Sequence, residues 1–306
     1  MATIKPKRSL GQNFLRDIAV LDRIIESANL SKGDLVIEVG PGEGVLSIEL
    51  AKRVNKLIMV EKDEELAKKT ATNFKFKISN DKSNPNDKNL NPKSNATIII
   101  GDILEINLPE LIEVETQHRC VSKNVNTKTQ QCCVSTDIDN YQYKVIANIP
   151  YYITSPIIRL FLETKYPPTE MLLMVQKEVA ERICAKAGKL SILALSVQYY
   201  ATPELLFTVP RAAFFPVPEV DSAVIRITRN ERPACAKTST GETKKFFKLV
   251  KAGFSAKRKT LVNNLSSSLQ LEKAIIEEKL KQIGISPKQR AQELQLEDWK
   301  NLTKSL

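Results

Sequence analysis

The apolar run Val145–Ala147 within KVIANIPYYITSPIIRLFL (residues 144–162) stops at Asn148-Ile149-Pro150-Tyr151, and a helix-like segment follows. A turn needs only the asparagine and the proline. Two tyrosines beside them suit a flat ligand held against an aromatic face. A second constellation is Gly40-Pro41-Gly42-Glu43-Gly44, directly after the apolar run Leu35–Val39. Backbone without side chains lets a ligand approach closely there. Glu61 ends the next apolar run, where a carboxylate can accept hydrogen bonds from two ribose hydroxyls. Asp102 follows TIIIG, where a carboxylate can accept from an adenine amino group. A nicotinamide fingerprint requires Gly-x-Gly-x-x-Gly facing a pyrophosphate. Here the spacing is Gly-x-Gly-x-Gly after the acidic Glu38, which suits S-adenosyl-L-methionine, a cofactor with no phosphates, a sulfonium and an amino-acid tail.

Asn148-Ile149-Pro150-Tyr151 resembles the (Asp/Asn/Ser)-Pro-Pro-Tyr motif of enzymes that methylate exocyclic amino groups. The lone pair of an adenine N6 is delocalised into its ring, so the amine is a weak nucleophile. A side-chain carbonyl from Asn148 and a backbone carbonyl near Ile149 can accept both N6 hydrogens, which draws the nitrogen towards tetrahedral geometry. Pro150 fixes the turn and removes a competing N–H donor. Tyr151 offers a face for an extruded base, a contact of roughly 1–3 kcal/mol that offsets much of the cost of extrusion. Tyr152 reads as structural.

The elements that must position these residues alternate along the chain. After the strand at Leu35–Val39 comes a helix over VLSIELAKRV, then the strand KLIMVE and a helix from Asp63 to about Phe74. The strand ATIIIGDI ends at Asp102, YKVIAN ends at Asn148, and EMLLMVQKEVAERI reads as a strand running into a helix. The pattern predicts an α/β fold with a mainly parallel sheet covered on both faces and a ligand crevice at the strand ends. Two polar stretches, about 79–96 and 113–142, read as surface insertions that bury little apolar area. ERPACAKTSTGET reads as a linker before a helical C-terminal part.

The chain has 306 residues, of which 42% are apolar, enough for a substantial core. No apolar run approaches membrane-spanning length, and MATIKPKRSLGQNFL lacks the apolar core of a secretory signal, so a cytoplasmic protein without a membrane partner is expected. The five cysteines (Cys120, Cys132, Cys133, Cys184, Cys235) show no paired spacing, and His118 is the only histidine. Reduced, non-catalytic thiols and no metal are expected. The net charge of +11 is unevenly placed. Residues 226–306 carry 18 Lys/Arg against 8 Asp/Glu, whereas the first 225 carry 28 against 27. A near-neutral front and a basic back imply chemistry in one part and a polyanion partner for the other.

Taken in order, KRSLGQNFL, EVGPGEG, Glu61, GDIL, NIPYYITSPII, VPRAAFFPVPEVDSAVIRI and FFKLVKAGFSAKRKTLVNNL resemble the ribosomal RNA adenine N6,N6-dimethyltransferases, the KsgA/Dim family, which is related to the Erm methyltransferases. The resemblance covers almost the whole chain except the two insertions. It implies a Rossmann-like class I methyltransferase domain over residues 1–228 and a basic helical RNA-binding domain over 229–306. It implies that Gln12, Asn13 and Leu15 close over the cofactor, that Gly40 approaches its amino-acid part with Gly42 also binding the cofactor, and that Glu61, Asp102 and Asn148 meet the ribose, the adenine and the methyl-transfer centre. Phe214 would face Tyr151 across the target base, with Phe215 as the alternative. In KKFFKLVKAGFSAKRKTLVNNL, Phe246, Phe247, Val250 and Phe254 fall on one helical stripe. Lys244, Lys245, Lys248, Lys251, Lys257, Arg258 and Lys259 would grip RNA phosphates, supplying affinity rather than base identity.

The implied activity is transfer of two methyl groups to N6 of each of two adjacent adenines near the 3′ end of small-subunit rRNA, by a monomer acting on an immature ribosomal subunit. Positioning carries most of the catalysis, with no metal and no strong general base. The alternatives are an Erm-like enzyme of large-subunit rRNA and a non-catalytic assembly factor. DNA adenine methylation is disfavoured because no base-reading domain is visible. A nicotinamide dehydrogenase is disfavoured by the glycine spacing.

Overall fold

The computed structural model describes residues 6–7, 10–75, 77–80, 95–113, 142–230 and 240–306. Most of both expected insertions lies outside these residues, as do His118, Cys120, Cys132, Cys133 and Cys235. The flanks Ser79–Asn80 and Ala96 belong to strands rather than to an insertion. The chain divides into two compact units, Met1–Lys177 with Leu205–Arg229, and Glu178–Glu204 with Asn230–Leu306. The single cut expected at residue 228 is thus corrected: Glu178–Glu204 groups with the C-terminal part.

In the first unit, the N-terminal strand β1 (Phe14–Leu15) and helix α1 (Ile18–Ser27) lead into β2 (Leu35–Val39), α2 (Val45–Ala51), β3 (Lys56–Glu61) and α3 (Glu64–Phe74). Then come β4 (Lys77–Asn80), β5 (Ala96–Ile100), β6 (Lys144–Asn148), α4 (Thr154–Glu163) and β7 (Glu170–Gln176). β8 (Ala201–Val209) starts in the second unit and ends in the first, followed by β9 (Phe214–Phe215) and β10 (Ser222–Arg229). The main sheet has the order β4-β5-β3-β2-β6-β7-β10-β8. β4 to β7 run parallel, and β10 lies antiparallel on β7. β2 is central and buried at all five positions, which is why LVIEV is almost uninterrupted in apolarity. Below it, Val36, Leu57, Met59, Ile98 and Ile146 pack with Val20, Leu21, Ile24 and Ile25 of α1.

Parallel pairing in this register places the ends of four strands together. Val39 lies opposite Val60 and Ala147, and Glu61 lies opposite Ile100. Gly40, Glu61, Gly101-Asp102 and Asn148 therefore share one sheet edge, where open α/β sheets bind ligands. β5 ends at Ile100, so Asp102 sits in the turn beyond the strand rather than at its last position. Because β10 is antiparallel, its first residue, Ser222, opposite Gln176 at the end of β7, comes to the same edge.

The second unit contains α5 (Lys177–Ile183) from Glu178 on, α6 (Ile192–Gln198), α7 (Thr240–Gly253), α8 (Leu261–Leu269), α9 (Lys273–Gln282) and α10 (Leu296–Ser305). Its core joins Leu190, Ala194 and Leu195 to Phe246, Leu249, Val250, Leu261, Leu265, Trp299 and Leu302. Gly253 is required by packing: a Cβ there would lie 2.3 Å from the Trp299 ring.

Candidate active site

One cavity of about 1350 Å³, its open mouth included, occupies the sheet edge. It is lined by Leu10–Leu15, Glu38–Glu43, Glu61-Lys62, Gly101–Ile103 and Ala147–Ile153. All of the expected cofactor residues, Gln12, Asn13, Leu15, Gly40, Gly42, Glu61, Asp102 and Asn148, line it, as do Ile149, Pro150 and Tyr151.

The glycine turn is shaped by its residue types. Gly40, Gly42 and Gly44 have φ of +68°, +58° and +82°, a region L side chains rarely enter. At Gly44 a Cβ would lie 2.8 Å from Thr70 and 2.9 Å from Phe74 of α3, so a side chain is excluded twice over. At Gly40 a Cβ would meet nothing within 4 Å, which leaves the backbone open towards the cavity.

Glu61 Oε2 accepts from the Gly42 N–H at 3.2 Å and Oε1 from the Asp63 N–H at 2.9 Å. Burial raises its pKa above the ordinary glutamate value despite these donors. Asp102 Oδ2 pairs with Lys62 Nζ at 2.7 Å, and Oδ1 accepts from the Leu104 N–H at 3.0 Å. Burial acts to raise the Asp102 pKa, but Lys62 and the backbone donor outweigh it and hold the carboxyl below its usual range. Glu38 is 2% exposed, and its Oε2 has no hydrogen-bond partner.

The N-terminal segment Leu10–Leu15 forms a strap across the cavity. Gln12 Nε2 donates to Asp63 Oδ2 at 3.2 Å, and Lys7 Nζ binds Asp63 Oδ1 at 2.8 Å. Asp63 also caps α3, accepting from the Leu66 N–H. At the other end of the strap, β1 pairs with β9, Phe14 opposite Phe215 and Leu15 opposite Phe214. Between these ties the Asn13 carbonyl accepts from Asn148 Nδ2 at 3.2 Å. That bond fixes the amide orientation and leaves Oδ1 of Asn148 as its hydrogen-bond acceptor.

The aromatic residues differ from expectation. Tyr151 is half-buried, and its hydroxyl lies 2.8 Å from that of Ser222, which is fully buried. Phe214 does not form the opposing wall in this structure. It is 3% exposed and packs in the apolar core, because the β1–β9 ladder turns it inward and turns Phe215, 56% exposed, outward. Tyr152, expected to be structural, is 57% exposed and lines the cavity, its ring beside Gly11. Sequence reasoning also missed Lys62 and Ser222; their partners Asp102 and Tyr151 lie 40 and 71 residues away, and no local spacing announces such contacts.

In the second unit, Lys244, Lys245, Lys248 and Lys251 are exposed on α7, and Lys257, Arg258 and Lys259 are exposed on the turn before α8. Asn264 Nδ2 holds that turn, donating to the carbonyls of Gly253 at 2.6 Å and Ala256 at 3.0 Å. The Thr260 hydroxyl caps α8. Among the described residues, no helix is long and apolar enough to cross a membrane, and no group of three or more His, Cys, Asp or Glu is placed to hold a metal.

The donor set fits S-adenosylmethionine: an open glycine turn, two carboxylates at or just beyond neighbouring strand ends, and in the cavity lining a buried glutamate with an unpartnered oxygen, suited to a cationic ligand. A sequence profile of the family described as ribosomal RNA adenine dimethylase matches residues 3–306. A Dehalococcoides mccartyi protein named Ribosomal RNA small subunit methyltransferase A is 39% identical over 300 residues, covering 98% of this chain and 88% of its own length. One of the same name from Bacillus mycoides is 36% identical over 305 residues, covering 98% and 91%. Among solved structures, a dimethyladenosine transferase from Plasmodium falciparum has a TM-score of 0.68 at 22% identity, covering 94% of this chain and 95% of that one. The 23S rRNA methyltransferase ErmE has a TM-score of 0.64 at 23% identity, covering 96% and 99%. These two share the fold, a Rossmann-like methyltransferase core with a mostly parallel sheet. The chain belongs to the ribosomal RNA adenine dimethylase family.

Proposed function

We propose that this protein is an S-adenosylmethionine-dependent methyltransferase that adds two methyl groups to N6 of each of two adjacent adenosines near the 3′ end of small-subunit rRNA. It acts as a cytoplasmic monomer on an immature ribosomal subunit and so contributes to subunit biogenesis. The observation that carries this reading is the opening of the Asn148–Tyr151 turn into the cavity that also holds Gly40, Glu61 and Asp102. The small-subunit assignment is supported by relatives named for that subunit at 36–39% identity over nearly the whole chain. The likeness to ErmE, at 23%, supports only the common fold.

Bound S-adenosylmethionine supplies an electrophilic methyl group on a sulfonium. Gly40 and Gly42 give its amino-acid part a backbone surface, Glu61 takes the ribose, and Asp102 takes the adenine. Gln12, Asn13 and Leu15 of the strap exclude water from one side. Asn148 accepts one N6 hydrogen of the target through Oδ1, since Nδ2 is already committed to Asn13. A backbone carbonyl at Ile149 accepts the other, and Pro150 keeps the turn free of a competing donor. The Tyr151 ring holds the base so that the nitrogen lone pair faces the cofactor. Positioning of this kind supplies most of the acceleration. The methylated ammonium is acidic enough to lose its proton to water. Lys244, Lys245, Lys248, Lys251, Lys257, Arg258 and Lys259 bind phosphates of the RNA.

The test is methyl transfer from labelled S-adenosylmethionine to unmethylated small subunits, large subunits and duplex DNA, with the modified base mapped. Dimethyladenine at adjacent positions of small-subunit RNA is expected, and Asn148→Ala on an intact fold should lose on the order of a hundredfold in rate. Label in large-subunit RNA would move the protein to the Erm-like branch. Tight binding to small subunits with no label would favour the assembly-factor role.

A further inference from the structure

Every other carboxylate at the cavity edge has a donor. Glu61 takes two backbone N–H groups, and Asp63 takes Lys7, Gln12 and Leu66. Asp102 takes Lys62 and Leu104, and Glu43 takes Arg16 at 2.9 Å. Glu38 differs. It stands in the central strand β2, is 2% exposed and lines the cavity, yet its Oε2 has no partner. The Ser47 hydroxyl near it, on α2, makes no hydrogen bond within ordinary limits either.

The elements packed around Glu38 offer no spare cation. β3 presents Ile58–Val60 and then the acidic Glu61, while β6 presents Val145–Ala147 and the neutral Asn148. α1 turns Val20, Leu21 and Ile24 inward. β7 contributes Leu172 and Met174 to the cavity wall, and the Tyr151 hydroxyl is held by Ser222. The nearby cations Lys7, Arg16 and Lys62 are paired with Asp63, Glu43 and Asp102. Ionising a carboxyl in such a place, with one oxygen lacking a donor and another carboxylate close by, is expensive. Burial pushes the Glu38 carboxyl up to about 8, the Ser47 hydroxyl acting the other way and the charge of Glu61 adding to the rise.

We propose that Glu38 holds a proton while no cofactor occupies the cavity and releases it to solvent when S-adenosylmethionine, with its sulfonium and net positive charge, enters. The carboxylate so formed is the counter-charge that separates the methyl donor from its product, whose sulfur is neutral. This rests on the cofactor reading above and adds to it a specificity-determining residue. The balance is simple: one proton leaves the protein for the buffer, and one negative charge remains in the cavity against the sulfonium. Donor binding is therefore favoured as pH rises towards 8 and independent of this group above it. Product binding, with one cation fewer, leaves Glu38 largely protonated.

The experiment is calorimetric titration of the full chain at pH 6.5, below the ordinary α-amino range so that the amino group of either ligand stays charged. Two buffers of different ionisation enthalpy report the number of protons released. With S-adenosylmethionine we expect release of most of one proton per site, falling towards none at pH 9. With S-adenosylhomocysteine we expect a much smaller release at pH 6.5. Glu38→Gln should abolish the release and flatten the pH dependence of donor affinity. Equal release with both ligands, or donor binding without release, would overturn the inference in the unaltered protein whether or not the variant folds. Release that persists in a folded Glu38→Gln protein would assign the proton elsewhere. Failure of S-adenosylmethionine to bind at all would remove the cofactor reading itself.

Discussion

Tyr151 is held at two points: its ring forms part of the cavity wall, and its hydroxyl meets Ser222 Oγ. Burial raises the pKa of that phenol, with Ser222 acting in the opposite direction, so the hydroxyl remains a neutral hydrogen-bonding partner. Ser222→Ala removes the partner without touching the ring. A single lost hydrogen bond of about 1 kcal/mol predicts a roughly fivefold fall in kcat, with cofactor affinity unchanged. Tyr151→Phe should match it, whereas Tyr151→Ala should cost more, because a stacking contact of roughly 1–3 kcal/mol disappears as well. Methylation kinetics set beside cofactor binding separate these outcomes. At this scale the sequence was legible wherever one residue type does one job. Asn148, Glu61 and Asp102 all line the cavity they were expected to share. It was not legible at Phe214 and Phe215, because adjacent strand residues point to opposite faces and only the pairing with β1 decides which face is the core.

Among the elements, the turn between α7 and α8 depends on one side chain. Asn264 is 2% exposed, and its amide serves the carbonyls of Gly253 and Ala256, which carries Lys257–Lys259 in place. Asn264→Ala takes the side-chain donor from the Gly253 carbonyl and leaves the Ala256 carbonyl only the Lys259 N–H, and should destabilise the second unit by about 1–3 kcal/mol. Asn264→Asp should be at least as damaging although isosteric, since it sets an acceptor against two acceptors. Thermal unfolding followed by calorimetry checks both. The helices and strands themselves were readable from periodicity because the central strands are buried on both sides and the helices on one. What could not be read was the allegiance of Glu178–Glu204. Locally the stretch continues the strand–helix alternation, but Leu190, Ala194 and Leu195 find their partners in residues more than fifty positions later.

For the molecule as a whole, charge and chemistry are divided between the two units. The seven basic residues of α7 and its following turn lie in a different unit from the cavity. Replacing Lys257, Arg258 and Lys259 together by Ala should weaken RNA binding uniformly across sequences. It should also reduce the slope of log affinity against log salt by about 2–3 and leave cofactor affinity unchanged. Filter binding across a salt series is sufficient to decide it. A different consequence concerns turnover. Placing two methyl groups on one nitrogen requires the spent donor to leave and a fresh one to arrive between the two transfers. The strap contributes Leu10–Leu15 to the cavity wall and supplies the carbonyl that orients Asn148. Any opening of the strap wide enough to exchange the donor also frees that amide to rotate, and with it the grip on the half-finished amine. An opening that broke this bond would make reloading and release of the monomethylated base competing events, so loosening the two-residue ladder between β1 and β9 is expected to raise the share of monomethyladenine among the products.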